Sequence, residues 1–188
     1  MESFFVSMLV VAVGEIGDKT QLLALILASR FRQPRPIILG IFVATLANHS
    51  LAGVVGVLIK NSLEPGTLHV LLAVSFFAIA AWAMKADAIG ETPRELGRYG
   101  VFALTVLVFF VAEIGDKTQL ATVALAAKYD SLTSVVAGST LGMLIADAPA
   151  VLLAERLFLK IPLKLVRYVS AALFALLGVA ALFGLGGT

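Results

Sequence analysis

The chain has 188 residues, 60% of them hydrophobic and only 14% charged, and its mean hydropathy of +1.02 lies far above that of soluble globular domains. A lipid bilayer is therefore the solvent that this composition predicts, and the formal net charge of +2 gives no indication of a nucleic-acid partner. The sequence has no cysteine, which excludes disulfides, cysteine-ligated zinc and iron–sulfur clusters and leaves oxygen or nitrogen to hold any metal ion.

Six apolar stretches along the chain are each long enough to cross a membrane as a helix. Spanning the hydrocarbon core takes about 20 apolar residues, whose backbone groups must pair internally because no water is present there. The predicted spans, in chain order, are 4–28, 36–59, 67–86, 100–127, 132–155 and 163–184. The first stretch lacks a basic n-region and is polar at its centre, so we expect a permanent helix and not a signal peptide.

The distribution of positive charge between the spans predicts the orientation of the chain. The two loops on one face carry Lys60 and Lys128 alone, whereas the first, third and fifth loops hold ten lysines and arginines: Arg30, Arg32, Arg35, Lys85, Arg94, Arg98, Arg156, Lys160, Lys164 and Arg167. Because positive loops stay in the cytoplasm, both termini are expected outside. The first three helices then form a unit over 1–90, a cytoplasmic linker covers 91–98, and the last three helices form a unit over 99–188.

These two units are copies of one another. A shift of 98 residues superposes Glu15–Leu22 on Glu113–Leu120 without a mismatch, and the same shift places Gly40 on Gly138, His49 on Asp147 and Phe76 on Phe174. Each unit has an odd number of spans, so the second enters the membrane from the opposite side. The prediction is an all-α membrane protein of two inverted three-helix repeats, the plan of many secondary transporters. Channels and scaffolds also contain duplicated units, so that alternative stays open.

Ionisable residues within the spans are few, and all of them fall near mid-span. A charge at the centre of a lipid-exposed helix costs at least about 2.5 kcal/mol, so these side chains must face one another or water. They are Glu15, Asp18, Lys19 and His49 in the first half and Glu113, Asp116, Lys117 and Asp147 in the second.

Both copies of the motif predict one polar stripe on a helix. Glu15 and Asp18 are three residues apart and Lys19 is four from Glu15, so the three side chains project from one side, and the second motif repeats this spacing. Gly17 and Gly115 lie within the stripes, where glycine allows local unwinding or close helix contact. If the first and fourth spans meet, four carboxylates and two ammonium groups carry a formal charge of −2, which a divalent cation would neutralise.

The expected ligands are hard oxygens, which suit Mg2+, Ca2+ and Mn2+. Carboxylates are the principal candidates, and the further candidates are the amide oxygens of Gln21 and Gln119 and the hydroxyls of Thr20 and Thr118. When no ion is bound, burial and mutual repulsion favour proton uptake by the carboxylates, so proton-coupled antiport is the hypothesis that follows.

Several roles stay open for the remaining polar residues of the spans. Lys19 and Lys117 are expected to balance charge, either in ion pairs with the glutamate four residues earlier or in pairs with the aspartate of the other repeat. His49 and Asp147 occupy equivalent positions, with Asn48 beside the histidine. They are candidates for outer ligands, proton relays or buried polar pairs.

The duplicated run Glu-Ile-Gly-Asp-Lys-Thr resembles the hallmark Glu-x-Gly-Asp-(Lys/Arg)-(Thr/Ser) of the Gdt family of membrane cation/proton exchangers, which includes bacterial manganese exporters of the MneA type. The resemblance covers the whole chain. It implies a cofactor-free, multi-pass transporter of the bacterial inner (plasma) membrane that exports Mn2+, with Ca2+ as the ion of eukaryotic Golgi relatives. The metal ligands that the resemblance implies are Glu15, Asp18, Glu113 and Asp116. One chain carries both motifs, so a monomer can form a complete site, while an oligomer remains open.

Two other functions compete with this interpretation. A six-span exporter of small solutes such as amino acids would use the acids for proton coupling and the lysines to hold a carboxylate. An intramembrane aspartyl protease would use Asp18 and Asp116 as a proton-sharing pair. The Gly-x-Gly-Asp pattern of such proteases is absent, because residues 14–18 read Gly-Glu-Ile-Gly-Asp.

Overall fold

The computed structural model describes residues 1–85, 100–153 and 163–185, and every regular element within these ranges is an α-helix. The all-helical fold is therefore confirmed for this part of the chain. The eight helices are α1 (Glu2–Glu15), α2 (Lys19–Phe31), α3 (Pro34–Ser62), α4 (Pro65–Ala83), α5 (Gly100–Glu113), α6 (Lys117–Lys128), α7 (Leu132–Leu153) and α8 (Leu163–Leu182).

Two of the six predicted spans are not single helices. The stretch predicted over 4–28 is divided into α1 and α2, and the stretch over 100–127 is divided into α5 and α6, with each division at the duplicated motif. The other four predictions agree with α3, α4, α7 and α8 to within a few residues at each end. The predicted linker at 91–98, which contains Arg94 and Arg98, lies outside the described residues. Arg156 and Lys160 also lie outside them.

Four of the described helices are long and apolar enough to cross a membrane: Pro34–Ser62, Pro65–Ala83, Leu132–Leu153 and Lys164–Leu182. Large apolar side chains on their outer surfaces are open, including Leu51, Val74, Leu152 and Leu176, which are each 58% to 67% exposed. The carboxylates of the motifs are instead buried, as is Lys117, while Lys19 is partly exposed. This distribution is the reverse of that in a water-soluble domain, and it fits a lipid-facing surface.

Part of the helix packing repeats between the two halves. α1 packs against α7, and its equivalent α5 packs against α3, while α4 and its equivalent α8 pack against each other. Phe76 on α4 and Phe174 on α8 are both fully buried in one core cluster. These contacts therefore have counterparts in the two halves, and each half packs against helices of the other.

Glycines at equivalent positions allow two close helix crossings. A Cβ atom at Gly138 on α7 would lie 2.2 Å from the backbone oxygen of Phe4 on α1, and one at Gly40 on α3 would lie 2.7 Å from the Cβ of Thr105 on α5. Only the missing side chain allows the helices this approach. Both crossings bring a broken helix into firm contact with a long one, and so position the motif at each break.

Candidate cation site

The two motifs bend the chain in the same way. α1 ends at Glu15, Gly17 adopts a φ of +79°, and Asp18 is the N-cap of α2. The second motif repeats this geometry, with a φ of +73° at Gly115 and Asp116 as the N-cap of α6. A left-handed conformation is unfavourable for residues with a Cβ, so glycine at this position allows the break. Each bend leaves one acid at the end of a helix and another at the positive N-terminus of the next helix.

The four motif acids lie in the interior of the helix bundle. None is more than 1% exposed, and they are Glu15, Asp18, Glu113 and Asp116. Removing a carboxylate from water is unfavourable unless cations or hydrogen-bond donors replace the lost hydration. Four such groups in one region therefore need specific partners.

Ion pairs between the repeats supply part of this compensation. Lys117 Nζ lies 2.6 Å from Asp18 Oδ1, and Lys19 Nζ lies 2.8 Å from Asp116 Oδ1. The structure thus places each lysine beside the aspartate of the other repeat, one of the two arrangements left open by the sequence. These pairs join the two bends into a single polar centre.

Three of the acids come close enough to share one ion. Glu15, Glu113 and Asp116 each present a carboxylate oxygen, and these oxygens lie within 4.8 Å of one another. Ligands on opposite sides of a cation with metal–oxygen distances of about 2.3 Å are about 4.6 Å apart, so the spacing suits one divalent ion. Asp18 lies outside this group of three and contacts Lys117 instead.

The threonines of the motifs orient the glutamates. Thr20 Oγ1 donates a hydrogen bond to Glu15 Oε2, and Thr118 Oγ1 lies 3.4 Å from Glu113 Oε2 and 3.3 Å from Asp116 Oδ2. Within the described residues, the second oxygen of each glutamate, Oε1, is buried without a hydrogen-bond partner. Each glutamate therefore keeps one oxygen held by the protein and one oxygen available to a ligand.

The glutamines of the two motifs stabilise the bends through hydrogen bonds to the backbone. Gln21 Oε1 accepts a hydrogen bond of 2.7 Å from the backbone N–H of Gly17, and Gln119 Oε1 accepts the equivalent 2.7 Å bond from Gly115. The amide oxygens proposed as ligands thus already hold the two breaks in shape. In the first repeat Gln21 Nε2 also donates to the carbonyl oxygen of Ala146, over 2.7 Å.

The second glutamine makes the equivalent contact through a side chain. Gln119 Nε2 donates to Asn48 Oδ1 at 3.3 Å, and Asn48 Nδ2 donates to the carbonyl oxygen of Phe110 at 2.9 Å. Asn48 therefore connects α3, α5 and α6 through its amide. Sequence reasoning missed Ala146, although the 98-residue shift places Asn48 on Ala146 and was the signal that could have found it.

His49 on α3 directly follows Asn48, and Asp147 on α7 directly follows Ala146. Both are fully buried, and within the described residues neither ring nitrogen of His49 nor either oxygen of Asp147 has a hydrogen-bond partner. Asp147 is within electrostatic range of Glu15 and Glu113. The structure thus brings Asp147 near the acids and leaves it outside the group of three whose oxygens are closest.

Comparison with known proteins adds an independent line of argument. The model of the family described as divalent cation/proton antiporter GDT1 matches residues 3–91 and 101–186. The chain is 47% identical over 184 residues to the "Putative manganese exporter" of Vibrio cholerae, covering 97% of this chain and 92% of that protein. It is 31% identical over 200 residues to the GDT1-like protein sll0615 of Synechocystis sp., covering 95% and 96% of the two chains.

A plant relative is longer than this chain. The chain is 32% identical over 206 residues to the chloroplastic PAM71-homolog of Arabidopsis thaliana, covering 92% of this chain and 56% of that protein. No solved structure matches the chain. The family model spans both repeats and both motifs. The chain therefore belongs to the GDT1 family of divalent cation/proton antiporters, and it is a membrane transporter, not an enzyme.

Proposed function

We propose that this protein exports Mn2+ from the bacterial cytoplasm in exchange for protons. The single observation that carries the proposal is the buried centre in which Glu15, Glu113 and Asp116 present oxygens within 4.8 Å of one another. Two cross-repeat ion pairs adjoin this centre, and Asp116 belongs to one of them. Hard carboxylate oxygens and the lack of cysteine favour Mn2+, Ca2+ or Mg2+ over soft metals. The manganese exporter name of the Vibrio cholerae relative supports Mn2+ among these ions, with Ca2+ as the second candidate.

The proposed architecture is six spans in two inverted repeats. In this arrangement α1 with α2 forms one broken span, and α5 with α6 forms the other. The N-termini of α2 and α6 lie at mid-membrane and face the transported ion, as in other transporters with discontinuous helices. The exchanged packing of α1 on α7 and α5 on α3 supports the repeat. The positive loops favour both termini outside in the bacterial inner membrane. A monomer contains all the residues of the proposed site.

Proton exchange follows from the chemistry of the centre. Four carboxylates and two lysines carry a formal charge of −2, which one divalent cation neutralises. After the cation leaves, burial makes the same group of carboxylates costly unless protons replace it. Metal binding that displaces protons links the two gradients. In this proposal Asp18 acts through its ion pair with Lys117, and the other three acids hold the ion.

Flux in proteoliposomes tests this function. Purified protein is reconstituted, and uptake of Mn2+, Ca2+ and Mg2+ is measured under an imposed pH gradient. We expect Mn2+ flux that depends on the gradient, and its loss in Glu15→Gln and Asp116→Asn. Matched controls are Glu64→Gln and Asp130→Asn, which change exposed acids outside the centre. Equal Mn2+ flux in the site variants and the wild type would contradict the proposal.

The other two functions make different predictions in the same preparation. An amino-acid exporter would gain no thermal stability from Mn2+, whereas a metal transporter is stabilised by its ion. The intramembrane aspartyl protease is set aside by the membership of a transporter family. No observation among the described residues favours either function over cation exchange.

A further inference from the structure

Asp147 on α7 is a buried acid that the proposed cation site does not use. Its side chain is fully buried, and neither oxygen has a hydrogen-bond partner within the part of the chain that the structure describes. It is also not one of the three acids whose oxygens converge. A carboxylate buried without donors or a cation is unfavourable, so burial favours its neutral, protonated form. The side chain is therefore suited to hold a proton.

The position of Asp147 couples that proton to the transported ion. Asp147 lies within electrostatic range of Glu15 and Glu113, the two glutamates that end α1 and α5. With both glutamates ionised and no cation bound, their charge repels a third carboxylate and favours the proton on Asp147. A cation arriving between the glutamates reverses this effect and favours release of the proton. Occupation by cation and by proton is thus mutually opposed.

The backbone around Asp147 is connected to one of the helix breaks. Gln21 Nε2 donates to the carbonyl oxygen of Ala146, the residue before Asp147, while Gln21 Oε1 accepts from Gly17. Pro149 lies within the same turn of α7 and has no N–H to donate to the carbonyl four residues earlier. α7 continues through this turn but lacks the backbone hydrogen bond that Pro149 cannot donate, and one side chain connects that turn to the bend. A change of charge at Asp147 therefore acts on the nearby helix break through the side chain of Gln21.

The equivalent position in the other repeat carries a different group. His49 takes the place of Asp147 under the 98-residue shift, although the eight motif residues are identical in the two halves. His49 is fully buried, and within the described residues its ring nitrogens make no hydrogen bond. A buried neutral imidazole does not supply the negative charge that a proton neutralises. The two repeats therefore share the cation centre but differ in this one ionisable group.

We propose that Asp147 binds the counter-transported proton at a position separate from the ligands of the cation. This inference rests on the proposed cation/proton exchange. The acids in electrostatic range of Asp147 are Glu15 at the end of α1 and Glu113 at the end of α5. Of the other helices packed on α7, α2 and α6 contribute the paired lysines and aspartates of the motifs, and α3 contributes the buried His49.

Two flux measurements on the full chain in proteoliposomes separate the proton step from the cation step. The first is Mn2+ flux driven by an imposed pH gradient. The second is exchange of radioactive Mn2+ for unlabelled Mn2+ at equal pH on both sides, which needs the cation site and the conformational change but no net proton movement. For Asp147→Asn we expect the driven flux to fall about tenfold or more, a usual size of coupling between two sites, while the exchange stays near the wild-type rate.

Conservative and matched variants complete the test. Asp147→Glu keeps an acid at the position and is expected to recover driven flux, and Asp130→Asn, an exposed acid, is expected to change neither measurement. Driven flux at the wild-type rate in Asp147→Asn would overturn the proposal. Loss of the isotope exchange in that variant would also overturn it, because Asp147 would then serve the cation site or the fold. If wild-type protein exchanges isotope but shows no driven flux, the proposed proton exchange itself is wrong, and this inference fails with it.

Discussion

Lys117 and Asp18 are 99 positions apart in the chain, yet Lys117 Nζ lies 2.6 Å from Asp18 Oδ1 in the interior of the bundle. The equivalent pair, Lys19 with Asp116, is 2.8 Å apart. The two pairs differ in their access to solvent, since the Lys19 side chain is 26% exposed and that of Lys117 only 6%. A duplicated sequence has thus produced two similar contacts in unequal environments, and one side of the cation centre is more open than the other.

The difference in burial predicts unequal effects of removing the two lysines. Lys117→Met leaves Asp18 charged in a dry environment, so we expect the free energy of unfolding to fall by about 3–5 kcal/mol. Lys19→Met is expected to cost less than half of that, because the Lys19 side chain is only partly buried and less desolvation has to be offset by the pair. Unfolding by denaturant in detergent micelles measures both. The double variant Asp18→Asn with Lys117→Met should recover part of the loss, and equal losses for the two lysine variants would contradict the argument.

The left-handed residue at each break predicts a conformational cost of substitution. A Cβ at Gly115 would meet no atom within 4 Å, so any loss of stability in Gly115→Ala comes from its φ of +73° and not from crowding. The expected loss is about 1–2 kcal/mol. Asparagine tolerates this conformation better than alanine, so Gly115→Asn should lose less. The free energy of unfolding and the Mn2+ flux of the two variants test this expectation. Identical values for both variants would show that the backbone conformation does not set the cost of substitution.

Much of this fold follows from hydropathy and from the repeat, while the contacts at the centre do not. The eight identical residues of Glu15–Leu22 and Glu113–Leu120 predicted the duplication, and glycine within each motif allowed for the breaks. The sequence did not decide between ion pairs within a repeat and between repeats, because that choice depends on how the bends face each other. Nor did it identify the carbonyl of Ala146 as a partner of Gln21, because the acceptor is a backbone oxygen and only the 98-residue shift of Asn48 onto Ala146 points to that position.

Close packing of α1 on α7 predicts that Gly138 is more sensitive to substitution than a helical glycine with open space around it. A Cβ at Gly138 would lie 2.2 Å from the Phe4 carbonyl oxygen, and both groups belong to rigid backbone, so the helices must separate. We expect Gly138→Ala to cost about 1–3 kcal/mol of stability. Mn2+ flux should fall as well, since α1 ends at Glu15 and α7 carries Asp147.

Gly66 provides the matched control for this substitution. It lies near the start of α4, and a Cβ there would meet no atom within 4 Å. Gly66→Ala should therefore leave the protein unchanged or stabilise it by up to about 1 kcal/mol through helix propensity. Thermal unfolding in detergent compares the two variants. A similar loss in both would mean that the close crossing at Gly138 is not what limits stability.

Binding of Mn2+ at the three converging acids predicts stabilisation that depends on pH in a definite direction. At an Mn2+ concentration about 100 times its dissociation constant, the folded state should gain about 2.7 kcal/mol. Proton binding by the buried acids, Asp147 included, opposes binding of the cation, so this gain should decrease as the pH falls. Thermal unfolding with and without Mn2+ across a pH series measures it. Glu113→Gln removes one ligand and should lose most of the gain, whereas Asp130→Asn should keep it, because that side chain is 64% exposed and lies outside the centre. A gain that grows towards low pH, or that survives in Glu113→Gln, would place the ion elsewhere in the protein.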